Sequence, residues 1–163
     1  MSGVVIEFDA GEVLSRLNAL GGRLLNLTPV MEAIGGVVRG SVDLAFTDGR
    51  DPYGIRWEPL SEVTIASRRQ RSDVPLRDSG RLANSIQVAA IRDRVSVGTN
   101  VEYASTHQFG AKQGDFGRTR RNGPIPWGDV PARPFLPLDG LPPDDEREVL
   151  AAMRDGLEEA LGA

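Results

Sequence analysis

The most regular pattern in the chain lies at residues 85–99, "SIQVAAIRDRVSVGT", where Ile86, Val88 and Ala90 fall on one side and Val95 and Val97 follow the polar pair Arg92-Asp93. A period of two places alternate side chains on one face of a strand, so this stretch predicts a hairpin. "GVVIEF" (3–8), rich in β-branched residues, predicts another short strand. Elsewhere the period is helical. Asp9 and Glu12 read as N-cap and capping-box partner of a helix whose stripe is Val13, Leu14, Leu17, Leu20 and Leu24, weakened at Gly21-Gly22. Thr28 as cap and Pro29 at the first helical position open a second helix. Its stripe is Val30, Met31, Ile34, Val37 or Val38, and Val42. Gly35, Gly36 and Gly40 let a neighbour approach it closely, at a cost of about 1 kcal/mol each against Ala.

The remaining pattern is punctuated by turn residues. Residues 47–61 form a loop marked by Gly49, Pro52, Gly54 and Pro59, with Trp57 near its end. Ser61 is placed to cap a short helix to about Arg69, and 69–75 reads as polar and mobile. Residues 76–86 predict one or two helical turns capped by Asp78 or Ser79, and Asn100 a cap for the helix in "VEYASTHQF". Residues 111–130 are poor in apolar positions and carry Gly114, Gly117, Gly123 and Gly128, which predicts a long loop. "DVPARPFLPL" (129–138) is held extended by its prolines and predicts a last strand. Pro142-Pro143 then starts a C-terminal helix with Asp144, Asp145 and Glu146 in its first turn and a stripe of Val149, Leu150, Met153, Leu157 and Leu161. Strands and helices do not alternate regularly. The expected fold is therefore α+β: a small antiparallel sheet packed by N-terminal helices and a C-terminal helix, with long loops. We divide the chain into residues 1–140, with extended loops at 47–60 and 111–130, and an acidic C-terminal helix at 141–163.

Composition narrows the chemistry. The 163 residues suit one domain, and an apolar share of 40% with 19 glycines and 11 prolines points to a modest core and much irregular backbone. The absence of cysteine removes disulfides, thiolate metal sites and a Cys nucleophile, and a single histidine removes a His-based metal cluster. No cofactor is called for. No run approaches the ~20 apolar residues of a membrane span, and the N-terminus lacks a basic signal-peptide region, so assembly in a cytoplasm is expected. The net charge of −4 is unevenly spread. From Asp139 onward there are eight acids and only Arg147 and Arg154 to oppose them, whereas the middle holds Arg68, Arg69, Arg71, Lys112, Arg118, Arg120 and Arg121.

Enzyme motifs do not assemble. One lysine makes a GxxxxGK[ST] loop impossible here, and neither GxSxG nor GxGxxG occurs. His107 has Ser79, Ser85 and Ser105 as possible triad partners, but nothing in the spacing places one beside it, and triads are defined by geometry. The plainer expectation is that His107 packs at the edge of a short helix, its ring nitrogens bonded to backbone or a neighbour. His107 and Gln108 would then aim the loop that follows, with Tyr103 and Phe109 anchoring the helix beneath it. Carboxylate pairs in "DDERE" and "LEEAL" read as solvated helix faces. "AKQGDFGRTRRNG" (111–123) reads as a flexible basic arm able to track phosphates or to meet an acidic neighbour such as the C-terminal helix of another subunit. The acidic whole favours the protein contact.

Four blocks then stand in a recognisable order: "GRDPYGIRWEPLSEVTIASRR", "LRDSGRLANSI", "VSVGTNVEYASTHQFG" and "VPARPFLPL". Together they resemble the phage virion-morphogenesis family, the tail-completion proteins of the protein G group of Mu-like phages, over roughly residues 40–138. The matching positions include Gly49, Pro52, Trp57, Pro59, Leu60, Thr64 and Arg68, then Leu76, Ser79-Gly80, Leu82 and Ser85. They continue with Val97-Gly98, Tyr103-Ala104, His107 through Gly110, and Pro131 through Leu136. Ser79 stands where the family commonly has Thr.

The resemblance implies a structural virion protein of the head–tail junction or tail end, with no enzyme activity. Its expected partners are copies of itself in a ring, most simply a hexamer, other neck and tail proteins (connector or stopper, tail tube), and double-stranded DNA in the channel without sequence reading. A head-associated morphogenesis protein and a DNA-contacting assembly factor are the alternatives. Candidate interface residues are Trp57, Tyr103, His107, Gln108, Phe109, Arg118, Arg120, Arg121, Arg133, Phe135 and Leu136. For Trp57, Phe135 and Leu136 the competing expectation is that they close the subunit's own core.

Overall fold

The computed structural model describes residues 3–9, 11, 27–68 and 73–161. Its elements are β1 (Val4–Asp9), α1 (Thr28–Asp48), α2 (Glu62–Ser67), α3 (Arg81–Asn84), β2 (Gln87–Ile91), β3 (Arg94–Thr99), α4 (Ala104–Phe109) and α5 (Pro143–Leu161). The fold is α+β. The predicted hairpin forms around Arg92-Asp93, with Val88 opposite Val97 and Ala90 opposite Val95. β1 pairs antiparallel with the other edge of β3, Val4 opposite Thr99 and Ile6 opposite Val97, so among the described residues the sheet order is β1-β3-β2. Asp9, expected to cap a helix, is instead the last residue of β1, opposite Arg94, and Gly11 is helical; the rest of the helix expected to Leu24 lies outside the described residues, as do residues 69–72.

One face of the sheet is covered by α1, which also packs against α5. The helical stripe does what its spacing predicted: Val30, Met31, Ile34, Val38 and Val42 are buried and join Val95 and Val97 in the core. Val38, not Val37, is the fully buried member of the pair. Of the three glycines on α1, only Gly35 is a contact point. A Cβ there would lie 2.3 Å from Val88 Cγ1, whereas Gly36 and Gly40 face open space. The cap also differs from expectation. Leu27 occupies the N-cap position without a side-chain cap bond, Thr28 begins the helix, and Pro29 follows where its missing N–H costs nothing.

The C-terminal helix crosses α1 at a second close approach, where a Cβ on Gly156 would sit 2.5 Å from Val30 Cγ2. Val149 is in the core and Met153 and Leu157 pack against it, but Leu150, expected in the same stripe, is 58% exposed. Burial of positions 149, 153 and 157 selects a narrow i, i+4 seam that leaves 150 off the face.

Candidate functional site

The predicted last strand is absent, and the reason bears on the whole site. Residues 131–137 form no strand, and Pro131, Pro134 and Pro137 supply no N–H to a ladder. Arg133 N–H donates to the His107 carbonyl, and the backbone groups of Phe135 and Leu136 are met by a side chain instead. Gln108, fully buried on α4, donates from Nε2 to the Leu136 carbonyl at 2.8 Å and accepts at Oε1 from the N–H groups of Phe135 (3.1 Å) and Leu136 (3.2 Å). Further along, the Tyr53 hydroxyl accepts from Leu138 and Asp139 N–H and donates to the Gly140 carbonyl at 2.7 Å. An amide side chain thus replaces a neighbouring strand.

This clasp holds Phe135 and Leu136 in the core, each fully buried. Phe46 meets Phe135 at 5.2 Å between centroids and Trp57 edge-on at 5.9 Å, and Trp57 Nε1 donates to the Pro134 carbonyl at 2.8 Å. Arg133 is also buried, with Nε and Nη2 donating to the Glu58 carbonyl at 3.0 and 2.9 Å. As placed, Trp57, Gln108, Arg133, Phe135 and Leu136 fasten the subunit to itself. Of the two expectations for Phe135, Leu136 and Trp57, closure of their own core is the one observed. The sequence motif "PARPFLP" is an internal latch, because the Arg133 guanidinium, the Pro134 carbonyl and the Phe135 and Leu136 backbone groups find internal partners and Phe135 and Leu136 a place in the core.

α4 presents a narrow buried face, Ala104 and Gln108, one turn apart. That geometry puts Tyr103 and Phe109 outward: Tyr103 is 39% and Phe109 61% exposed, so neither anchors the helix as expected. The helix starts after a turn, Ala104 N–H to the Val101 carbonyl at 3.0 Å, with Tyr103 rather than Asn100 at the cap position. The other short helices keep closer to expectation. Ser61 Oγ caps α2 through Thr64 N–H, and Ser79 Oγ accepts from Arg81 N–H before α3, whose cap position is taken by Gly80 at φ +73°.

His107 stands at the wall of a cleft of about 600 Å³, whose lining also includes Ser79, Arg68, Tyr103 and Arg133. Tyr103 meets its ring edge-on at 5.7 Å. Its backbone carbonyl accepts from Arg133 N–H at 2.7 Å, but its ring Nδ1 is buried with no hydrogen-bond partner, contrary to the expected fixture. Burial, and then the Arg133 charge, hold its pKa below the usual histidine value. The ring is therefore neutral at pH 7, and among the described residues no carboxylate is bonded to its Nδ1.

The basic arm is the part of the site with most to offer a partner. Gly110, at φ +76° and packed against the Val130 carbonyl, turns the chain out of α4. Residues 111–130 then fold back on themselves. Ala111 and Val130 exchange both backbone bonds at 2.8–2.9 Å, Phe116 N–H donates to Ile125, Ile125 N–H to Gly117, and Thr119 N–H to Gly123. At the base, Asp129 accepts from Lys112 Nζ (3.1 Å) and Gln113 N–H (2.9 Å), and these bonds lower its pKa, the Gln113 contribution being larger. The loop expected to be flexible is thus a self-bonded finger. Arg118, Arg120 and Arg121 are exposed at its tip, with Arg118 reaching the Asn122 carbonyl at 3.1 Å. Two aromatic residues that sequence reasoning left out accompany them: Phe116 at 57% and Trp127 at 78% exposure. The available signal was an aromatic residue in a stretch with no apolar stripe for it to join.

Among the described residues no group of acidic or histidine side chains is arranged to hold a metal ion, and no helix is long and apolar enough to cross a membrane. The sequence model of the phage virion morphogenesis family matches residues 8–158. Mu-like prophage FluMu G protein 2 of Haemophilus influenzae is 33% identical over 147 residues, covering 90% of each chain. Putative capsid assembly protein G of Escherichia phage Mu is 34% identical over 125 residues, 74% of this chain and 73% of that one. No solved structure matches the chain. With a match spanning nearly its whole length, the chain belongs to the phage virion morphogenesis family, and its role is one of virion assembly.

Proposed function

We propose that the protein is a structural subunit of the head–tail junction that completes the phage tail, assembling as a ring around the DNA channel, with six copies as the expected number. The observation that carries this reading is the division of labour in residues 101–138. The latch satisfies itself internally, while the finger leaves Phe116, Trp127 and three arginines in solvent. Aromatic residues and arginine are the side chains that dominate protein interfaces, and a small domain gains nothing by exposing them alone. The role needs no catalysis. Among the described residues His107 Nδ1 has no carboxylate to orient it, the third member that a nucleophile–base pair requires. DNA passing through such a ring would meet the finger's arginines as phosphate contacts without base reading.

The test is a phage lacking this protein. Unjoined heads and tails in the lysate are expected, with joining restored by the protein supplied in trans. Normally joined, infectious particles would overturn the reading. The name of the phage Mu relative, putative capsid assembly protein G, favours a second reading in which the protein acts on the head. Separated heads and tails distinguish the two. The junction reading expects the protein on tails or at the joint; the head reading expects it on heads assembled without tails.

A further inference from the structure

A second groove of about 530 Å³ lies between the end of α1, the 50–54 turn and the start of α5, and shares no lining residue with the cleft beside His107. Its walls combine two properties rarely left open together. Leu44 is 63% exposed and Tyr53 39%, with Pro143 beside them. Five carboxylates, Asp48, Asp51, Asp144, Asp145 and Glu148, line it against one cation, Arg50. Arg147 pairs with Asp144 and Arg50 with Asp48 (3.7 Å), and the α5 dipole adds only about half a positive charge, so the groove keeps an excess of negative charge. Asp145 carries the clearest sign of an incomplete environment. Its Oδ2 is shielded from water with no hydrogen-bond partner, and burial, opposed by a Ser41 hydrogen bond but assisted by Glu148 and Asp144, raises its pKa.

The complement of this groove is on the same chain. The finger tip from Phe116 to Pro124 carries three arginines and no acid, and Phe116 at its start and Trp127, three residues beyond its end, are exposed apolar groups. The ladder of backbone bonds holds that tip in shape before any contact is made, which reduces the ordering cost of docking. We propose that the finger of one copy docks into the α1–α5 groove of the next, Trp127 and Phe116 against Leu44 and Tyr53, and the arginines against the groove carboxylates. Because the two surfaces differ, the contact is head-to-tail, the kind that closes a ring when its rotation permits and extends a filament when it does not. This rests on the reading of the protein as a self-assembling subunit and names the surfaces that would do it.

The chain has no cysteine, so disulfide trapping is clean. Trp127→Cys combined with Leu44→Cys is expected to give a ladder of covalent oligomers on oxidation, where neither single variant does. Charge reversal gives the second arm. An Arg118→Glu, Arg120→Glu, Arg121→Glu variant and an Asp144→Arg, Glu148→Arg variant should each be folded by circular dichroism but monomeric by mass photometry, and should assemble again when mixed. If both variants assemble alone as the wild type does, the contact is elsewhere and the proposal falls, while self-assembly stands. If the finger variant assembles normally but loses retention on DNA, the arginines serve DNA and the proposal also falls. A wild-type protein that stays monomeric overturns both the contact and the ring, leaving presence in the virion as a separate result.

Discussion

Gln108 is the most deeply buried polar side chain described, and it bonds only to backbone. Two N–H groups and one carbonyl of a proline-broken segment depend on its amide. Gln108→Ala leaves those groups buried and unpaired at about 1–3 kcal/mol apiece. We expect a loss of about 3 kcal/mol or more in urea unfolding, with the far-ultraviolet spectrum of the remaining fold unchanged. Its neighbour His107 makes a different contribution, through protons. Its folded pKa lies below the ordinary 6.5, from burial first and Arg133 second. As pH falls below about 6.5 the unfolded chain takes up a proton that the folded chain refuses, so stability declines until the lowered pKa is passed. The expected observation is a urea midpoint that falls over this window in the wild type and falls less in His107→Leu. Since the chain has one histidine, the difference between the two curves isolates it.

At the level of elements, α1 shows how packing sorts residues that look alike in sequence. Gly35, Gly36 and Gly40 all lower helix propensity, yet only Gly35 abuts the sheet, where an added Cβ would press on Val88 and Val95. Both are β-branched and stiff at χ1, so the strand cannot readily yield. Gly35→Ala should destabilise by about 1–3 kcal/mol, overpacking outweighing the propensity gain. Gly36→Ala and Gly40→Ala should each stabilise by up to about 1 kcal/mol, as read from thermal or denaturant midpoints. The latch and the finger follow the same principle from opposite ends. The latch looks like a strand and is not one, because proline removes its ladder donors. The finger looks like a disordered loop and is not one, because its polar backbone finds partners within 20 residues of chain.

For the whole molecule, core and finger are separable. The core cluster contains no residue between 111 and 130. The Ala111–Val130 pair closes the finger at its base with two backbone bonds. Replacing residues 112–129 by Asn-Gly, a favoured two-residue turn between paired backbones, should therefore give a folded protein whose melting temperature stays within a few degrees of the wild type, about 1 kcal/mol or less in stability. On the proposed function that protein assembles no rings and does not restore infectivity to a phage lacking the wild type. A truncated protein that complements fully would remove the finger from any account of assembly. The match to the virion morphogenesis family along residues 8–158 encloses both parts.

Much of this protein was determined by local pattern. The hairpin, the α1 stripe, the acidic start of α5 and the α+β class follow from periodicity and turn chemistry, which act over a few residues and are written in order along the chain. The ordered motifs carried the family in the same way. What only the tertiary structure decided are choices among distant partners. Gln108 lies 27 positions from Phe135 and Tyr53 lies 87 from Gly140, and no local rule says that an amide will stand in for a strand or a hydroxyl for a cap. Burial likewise divided the candidate site residues: Trp57, Gln108, Arg133, Phe135 and Leu136 went inward, and Tyr103, Phe109, Arg118, Arg120 and Arg121 outward, with His107 between them. An arginine or an aromatic residue is suited to either destination. The chain's long-range packing, which satisfies each buried polar group or leaves it at the surface, made that choice.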